Sequence, residues 1–198
     1  MDCHSTTTNA PLSPIKRYVT GHDPASGKSI YLDVPDLQFN PIPIPGFGSA
    51  SRSYATTTLP PELGDDVDLK EYLSRDSAAS LTRQEIIVPP TELNSRAGET
   101  MLGGMNVVNL AFEPAAVGHM HRTVSLDIST CVSGEVYHEL DSGEKVLLKP
   151  GDHIIQRGTM HRWINASKVL PARVLAVLLP CESFKVGDKF IEEEHIFN

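Results

Sequence analysis

The feature that most restricts this chain is a run of short β-favouring segments that begins near residue 83 and is broken by turn residues rather than by helices. RQEIIV (83–88), GGMNVVNLAFEP (103–114), HMHRTVSLDISTCVSG (119–134), GEVYHEL (134–140), KVLLK (145–149), HIIQR (153–157), HRWIN (161–165) and ARVLAVLLP (172–180) are separated by DSGE, KPGD, RGT and NASKVLP. Strands at this spacing pair antiparallel and close into a sandwich or barrel, and the absence of alternating helices excludes a doubly wound fold. ELDSGEK (139–145) reads as a hairpin around Asp141, Ser142 and Gly143, and LKPGDH places Pro150 and Gly151 in a second turn.

The first part of the chain is different in kind. Residues 1–14 are polar and rich in Thr and Pro, the composition of a flexible tail. Residues 15–82 are expected to form an arm that packs on the barrel or on a partner subunit. Within it, Arg17 to Thr20 and Ser29 to Val34 flank the turn signals Asp23-Pro24 and Ser26-Gly27, which predicts a hairpin. PIPIPGFGS (41–49) has too many prolines for a central strand. DDVDLKEYLSR (65–75) is the one short helix expected, with acids at its start and a cation at its end. The barrel itself is expected over 83–198.

Composition narrows the function classes. The 198 residues and 40% hydrophobic content suit one core, and 17 − 25 = −8 in net charge disfavours nucleic acid and anionic membranes as partners. Cys3, Cys131 and Cys181 form no C-x-x-C pair and no even set, so neither a disulfide framework nor a thiolate zinc site is indicated. No apolar leader and no long apolar span occurs, which points to a cytoplasmic protein with a small-molecule substrate.

GHMHRTVSLD (118–127) carries the chemistry. Residues two apart on a strand share a face, so an unbroken strand would aim His119, His121, Ser125 and Asp127 the same way. With His161 from a later strand, His119, His121 and Asp127 form a candidate set for a divalent ion such as Zn, Fe, Mn or Ni. The same histidines could instead hydrogen-bond a ligand or a buried acid. Alternation turns Arg122 and Arg162 away from His121 and His161, toward outward salt bridges. Trp163 shares the parity of His161 and either walls the pocket or fills the core. Only one of Tyr137 and His138 can face inward, and Arg157 could clamp an anionic oxygen.

These motifs carry a resemblance. HMH followed by Gly134, PGD, G158-x-x-H161 and Asn165 resembles the two motifs of the cupin family over roughly residues 105–180. RYVTGHD, HRT with its downstream LD, SGEVYHELDSGE, LKPGD and QRGTMHRW resemble a subgroup of single-domain cupins, some of which accompany fungal polyketide pathways. The resemblance implies an all-β cupin jelly-roll barrel with an N-terminal arm and one short helix, a homodimer, and a metal held by two histidines and a glutamate of the first motif and one histidine of the second. This chain departs from that pattern. Ser125 and Leu126 stand where the glutamate is expected, leaving Asp127 to substitute, and Gln156 stands where the second motif usually has proline. The polar residues shared with the subgroup are His121, Asp127, Gln156 and His161.

The resemblance is specific for fold and weak for reaction. The first expectation is a tailoring enzyme of a polyketide-like secondary-metabolite pathway, of lyase or isomerase type, performing dehydration, decarboxylation, isomerisation or cyclisation. His121 or His161 would serve as acid/base, Asp127 would orient it, and Gln156 would hold a carbonyl oxygen; Trp163, Arg157 and His138 would contact substrate. Any divalent ion would act as a Lewis acid, and no organic cofactor is expected. The alternatives are an iron-dependent dioxygenase and a non-catalytic ligand-binding barrel.

Overall fold

The structure is a computed structural model that describes residues 12–33, 42–56, 58–77 and 104–196. The expected strand 83–88 lies outside the described residues. The chain forms β1 (Thr20–His22), β2 (Ser29–Tyr31), β3 (Ile42–Ile44), β4 (Gly48–Ala55), a 3-10 turn (Gly64–Asp66) and helix α1 (Val67–Ser77). The barrel strands follow: β5 (Asn106–Phe112), β6 (Met120–Arg122), β7 (Ser125–Ser133), β8 (Val136–Leu140), β9 (Lys145–Leu148), β10 (His153–Arg157), β11 (His161–Asn165) and β12 (Ala172–Pro180). Three short strands close the described chain: β13 (Lys185–Val186), β14 (Lys189–Phe190) and β15 (Glu194–Ile196).

Two antiparallel sheets make the barrel. One runs β10-β7-β12-β5-β4-β3 and the other β15-β6-β11-β8-β9. Alternation along β11, along β7 as far as Cys131 and along β12 as far as Ala176 buries every second residue, as expected for strands with one face on a core. Phe112, Cys131, Ala172 and Val174 from the first sheet meet Val136, Leu148 and Trp163 from the second in one apolar cluster. Cys131 is accordingly a small buried hydrophobe. The fold is the all-β barrel that the turn-separated strands predicted, in the jelly-roll form that the cupin resemblance implied.

Two turns fix the strand order. Gly134 adopts φ +69° between β7 and β8, and a Cβ there would come within 2.7 Å of the Ala172 side chain and the Pro171 carbonyl. Both the backbone conformation and the space require glycine. At Lys149–Asp152, Gly151 takes φ +97°, the Asp152 amide donates to the Lys149 carbonyl at 2.9 Å, and the Asp152 carboxylate accepts from the Lys149 amide at 2.9 Å.

Three features depart from the sequence expectation. The run 119–134 is two strands, because the chain leaves the second sheet after Arg122 and enters the first at Ser125. The PIPIP stretch supplies β3, an edge strand as its prolines require, but GSASRSYA (48–55) then becomes β4, an interior strand paired with β5. Residues before 83 thus supply two strands of the barrel's own sheet. Helix α1 starts two residues later than predicted and buries Leu69 and Tyr72 beside Ala55, Val19, Leu32 and Tyr54. The Tyr72 hydroxyl donates to the Arg52 carbonyl at 3.1 Å, tying the helix to β4.

Replacing Phe112, which is 1% exposed and packs its ring 4.6 Å from Phe47 and 6.4 Å from Trp163, should cost far more than replacing exposed Ile155. Phe112→Ala is expected to lower stability by ~3–5 kcal/mol and Ile155→Ala by ~0.5 kcal/mol or less in urea titrations.

Candidate functional site

The apolar cluster occupies one end of the barrel and polar side chains the other. Moving along β7 from Cys131 toward Ser125, the inward residues change from apolar to Ser129, Asp127 and Ser125, all buried. Gln156 of β10 lies opposite Asp127 in register and is also buried. From the facing sheet come His138 on β8, His161 and Trp163 on β11, and His121 on β6. His161 pairs directly with His121, and Trp163 with His138.

A chain of hydrogen bonds joins the two sheets. The Gln156 Nε2 donates to Asp127 Oδ2 at 2.9 Å, and its Oε1 lies 3.0 Å from His138 Nε2. Ser125 Oγ donates to Asp127 Oδ1 at 2.6 Å, and Thr123 Oγ1 donates to Asp127 Oδ2 at 3.4 Å. Burial pushes the Asp127 carboxyl up to about 6, against the lowering effect of the Ser125 and Thr123 hydroxyls.

The imidazoles form a row across the second sheet. The rings of His195 and His121 lie 5.5 Å apart, those of His121 and His161 4.3 Å, and those of His161 and His138 5.0 Å. Trp163 meets His138 edge-on at 4.8 Å and also belongs to the apolar cluster, so it both floors the row and fills the core. His121 Nδ1 sits 3.0 Å from the His119 carbonyl and His161 Nδ1 3.1 Å from the Thr159 carbonyl. A carbonyl only accepts, so each Nδ1 carries the proton, and in the neutral His121 ring Nε2 holds a lone pair. Burial lowers the pKa of His121, His138 and His161, and the neighbouring imidazoles lower His121 and His161 further.

A cupin-domain-containing oxidoreductase of Neurospora crassa is 32% identical over 176 residues, covering 89% of this chain and 79% of its own. The chain belongs to the cupin-domain-containing family. Phomopsin biosynthesis cluster protein C' of Diaporthe leptostromiformis is 33% identical over 179 residues, 88% of this cupin and 83% of that protein. Oryzines biosynthesis cluster protein J of Aspergillus oryzae is 30% identical over 141 residues, 71% and 69% of the two chains. Among solved structures, a Klebsiella pneumoniae protein with a double-stranded β-helix domain matches with TM-score 0.38 and 23% identity, over 48% of this chain and 76% of that one. No family model matches the cupin.

The residues expected at the site separate into those that meet and those that do not. His121, His161, His138, Trp163, Gln156 and Asp127 come together at the polar end of the barrel. Arg157 alternates with Gln156 on β10 and is exposed, so the structure does not bring it to the other six. Arg122 pairs with Glu194 at 3.4 Å and Arg162 with Glu139 at 2.7 Å, the outward salt bridges that alternation predicted. His119 precedes β6, is exposed, and contributes its carbonyl to His121.

The expected divalent-ion set of His119, His121, His161 and Asp127 is tested by this geometry. Both Asp127 oxygens are engaged by Ser125, Thr123 and Gln156. Among the described residues no group of three or more His, Cys, Asp or Glu side chains is arranged to hold a metal ion. As placed, the quartet does not fit an ion, and no chemical step is routed through one. Gln156 likewise has its amide occupied at both ends rather than turned to a substrate carbonyl.

His195 was not anticipated. It sits opposite His121 on β15, its ring inclined only 13° to that of His121. EEEHIFN has no turn signal or long alternation to mark a strand, so only the pairing of β15 with β6 reveals it.

The row predicts a pH dependence of stability. Burial and the neighbouring imidazoles bring His195 down to about 4, and His121, His138 and His161 also lie below the ordinary 6.5. The unfolded chain therefore binds protons at these rings more tightly than the folded one, and stability falls as pH drops below ~6.5 toward the folded values. Asp127 opposes this, because its raised pKa lets the folded state take up a proton between ~4 and ~6 that the unfolded chain does not. Burial raises Glu193 as well, in the same sense as Asp127, and with four imidazoles against these two carboxyls the urea midpoint is expected to fall between about pH 7.5 and pH 5, and less steeply in His195→Gln. A midpoint that rises over this interval contradicts the assignment.

Proposed function

We propose that this cupin is a tailoring enzyme of a secondary-metabolite pathway whose reaction is a proton transfer at a carbonyl compound: dehydration, decarboxylation, isomerisation or cyclisation. The membership of relatives in phomopsin and oryzines biosynthesis clusters supports the pathway. The observation that carries the chemistry is the His121–His161 pair, two rings 4.3 Å apart with each Nδ1 held by a carbonyl. Both rings are kept neutral at pH 7 by burial, and a neutral imidazole with a lone pair is a competent base. His121, half-buried at the open end, takes the proton through Nε2. The His121 imidazolium so formed, its Nδ1–H held by the His119 carbonyl, gives that same proton back to the departing or rearranging atom, while neutral His161 beside it accepts a hydrogen bond from the substrate through its own Nε2. Trp163 closes the inner side against water.

The second reading is an oxidoreductase, supported by relatives that carry that name. A non-catalytic ligand-binding barrel is the third. The proposal includes a homodimer, which exposed Ile128, Val132 and Ile155 on the outer face of the six-stranded sheet support.

The test begins with the source organism lacking this chain, from which the accumulating intermediate is isolated and given to the purified protein with and without oxygen. Acid/base chemistry gives turnover in both cases, with a product that is isomeric or lighter by water or carbon dioxide. His161→Ala and His121→Ala are expected to reduce turnover ~100- to 10,000-fold while the protein remains folded. Turnover only with oxygen, or a product that has gained oxygen or lost hydrogen, establishes the oxidoreductase instead. Binding without any product establishes the third reading.

A further inference from the structure

We propose that Gln156 is a positioning residue that transmits the polarity of Asp127 to His138, holding His138 as its Nε2–H tautomer so that Nδ1 is the hydrogen-bond acceptor it brings to the reaction. This deepens the acid/base reading above and rests on it.

The argument follows from donor and acceptor capacity along one path. Ionised Asp127 can only accept, and it receives hydrogen bonds from Ser125 at 2.6 Å, from Thr123 at 3.4 Å and from Gln156 Nε2 at 2.9 Å. The amide of Gln156 is therefore turned with its NH2 toward the acid, and its carbonyl oxygen faces the other way. That oxygen lies 3.0 Å from His138 Nε2 and can only accept, so Nε2 must carry the proton. A neutral imidazole has one N–H, which leaves Nδ1 with its lone pair. The direction of each bond is fixed by the one before it, beginning at the carboxylate.

The geometry makes the relay a constraint rather than one choice among several. Asp127, Gln156 and His138 are 5%, 3% and 2% exposed, so water does not offer substitute partners. Asp127 and Gln156 are paired in register on β7 and β10, whereas His138 belongs to the opposite sheet, so the path spans the barrel. His138 is packed edge-on against Trp163 at 4.8 Å and stacked at 16° on His161 at 5.0 Å, which fixes its ring plane. It stands in the same ring row as the His121–His161 pair but with the opposite tautomer, since those two hold their protons on Nδ1. A row that mixes tautomers offers a substrate acceptor positions on differently oriented ring edges.

The test reads the tautomer directly and needs no substrate. Nitrogen-15 spectra of the full chain at about pH 7.5, with His138 resonances identified by their loss in His138→Gln, should show a protonated Nε2 and an unprotonated Nδ1 for His138. In Gln156→Leu, which removes the acceptor, the His138 proton should shift toward Nδ1. In Asp127→Asn, whose side chain can donate as well as accept, the pattern should become mixed, and this variant serves if Gln156→Leu does not fold. Gln156→Glu should retain Nε2–H, because a glutamyl group can accept from His138 while its own proton bonds Asp127. A wild-type His138 protonated on Nδ1, or a wild-type pattern unchanged in both Gln156→Leu and Asp127→Asn, overturns the relay. These outcomes are separate from the catalytic reading, which fails on turnover alone.

Discussion

A carboxylate at the centre of a barrel is the constraint around which the rest of this molecule is arranged. Asp127 is buried, and an ionised acid withdrawn from water costs several kcal/mol unless its lone pairs are satisfied. Ser125, Thr123 and Gln156 supply those bonds, and each lies where strand geometry puts it. Ser125 is two residues away on the same face of β7, Gln156 is its register partner on β10, and Thr123 is in the crossing between sheets. Satisfying the acid consumes the amide of Gln156 and thereby orients His138. The carboxyl still titrates high, at about 6, because desolvation outweighs the hydroxyl donors.

The second consequence is electrostatic. Imidazoles within 4.3–5.5 Å of one another cannot all be charged, and burial already disfavours the protonated forms. The row is therefore a set of neutral rings at pH 7, able to accept protons yet penalised for keeping them, which is the property an acid/base site requires. Asp127, the single buried acid among the described residues, lies on the facing sheet and reaches the row through the Gln156 amide rather than by an ion pair. The apolar end of the barrel, from Phe112 to Trp163, anchors both sheets and holds the ring row against a rigid floor.

Membership in the cupin-domain-containing family fits this division of labour. The barrel is a scaffold on which different chemistries are carried by the inward residues at one end. In this chain those residues are histidines, one acid, an amide and hydroxyls, with the aspartate committed to hydrogen bonds within the protein.

Much of the architecture was legible before folding, because it depends on local alternation and turn chemistry. The barrel strands from β8 to β12 and the turns at Gly143 and Gly151 follow from alternation and turn residues, and the shared faces of Ser125 with Asp127 and of His161 with Trp163 and the outward pairing of Arg122 and Arg162 follow from a side-chain period of two, whereas only the cupin resemblance pointed to Gln156. β4 was not legible, since Ser and Ala make up five of its eight residues and its pairing with β5 is what makes it a strand. The break at Thr123–Val124 was hidden for a related reason: nothing local marks the point at which a chain passes from one sheet to the other. That passage puts His121 and Asp127 on facing sheets, leaves His119 outside the strand, and lets β15 bring His195 against His121. The sequence alone therefore determined which residues share a face of a strand, a property of neighbouring peptide units, but not whether that face turns inward, as His138 and His119 show. Which inward groups from different strands touch, and hence where the His138 proton sits, was decided by long-range strand pairing, because contacts between strands distant in sequence are set by register and not by the local chain.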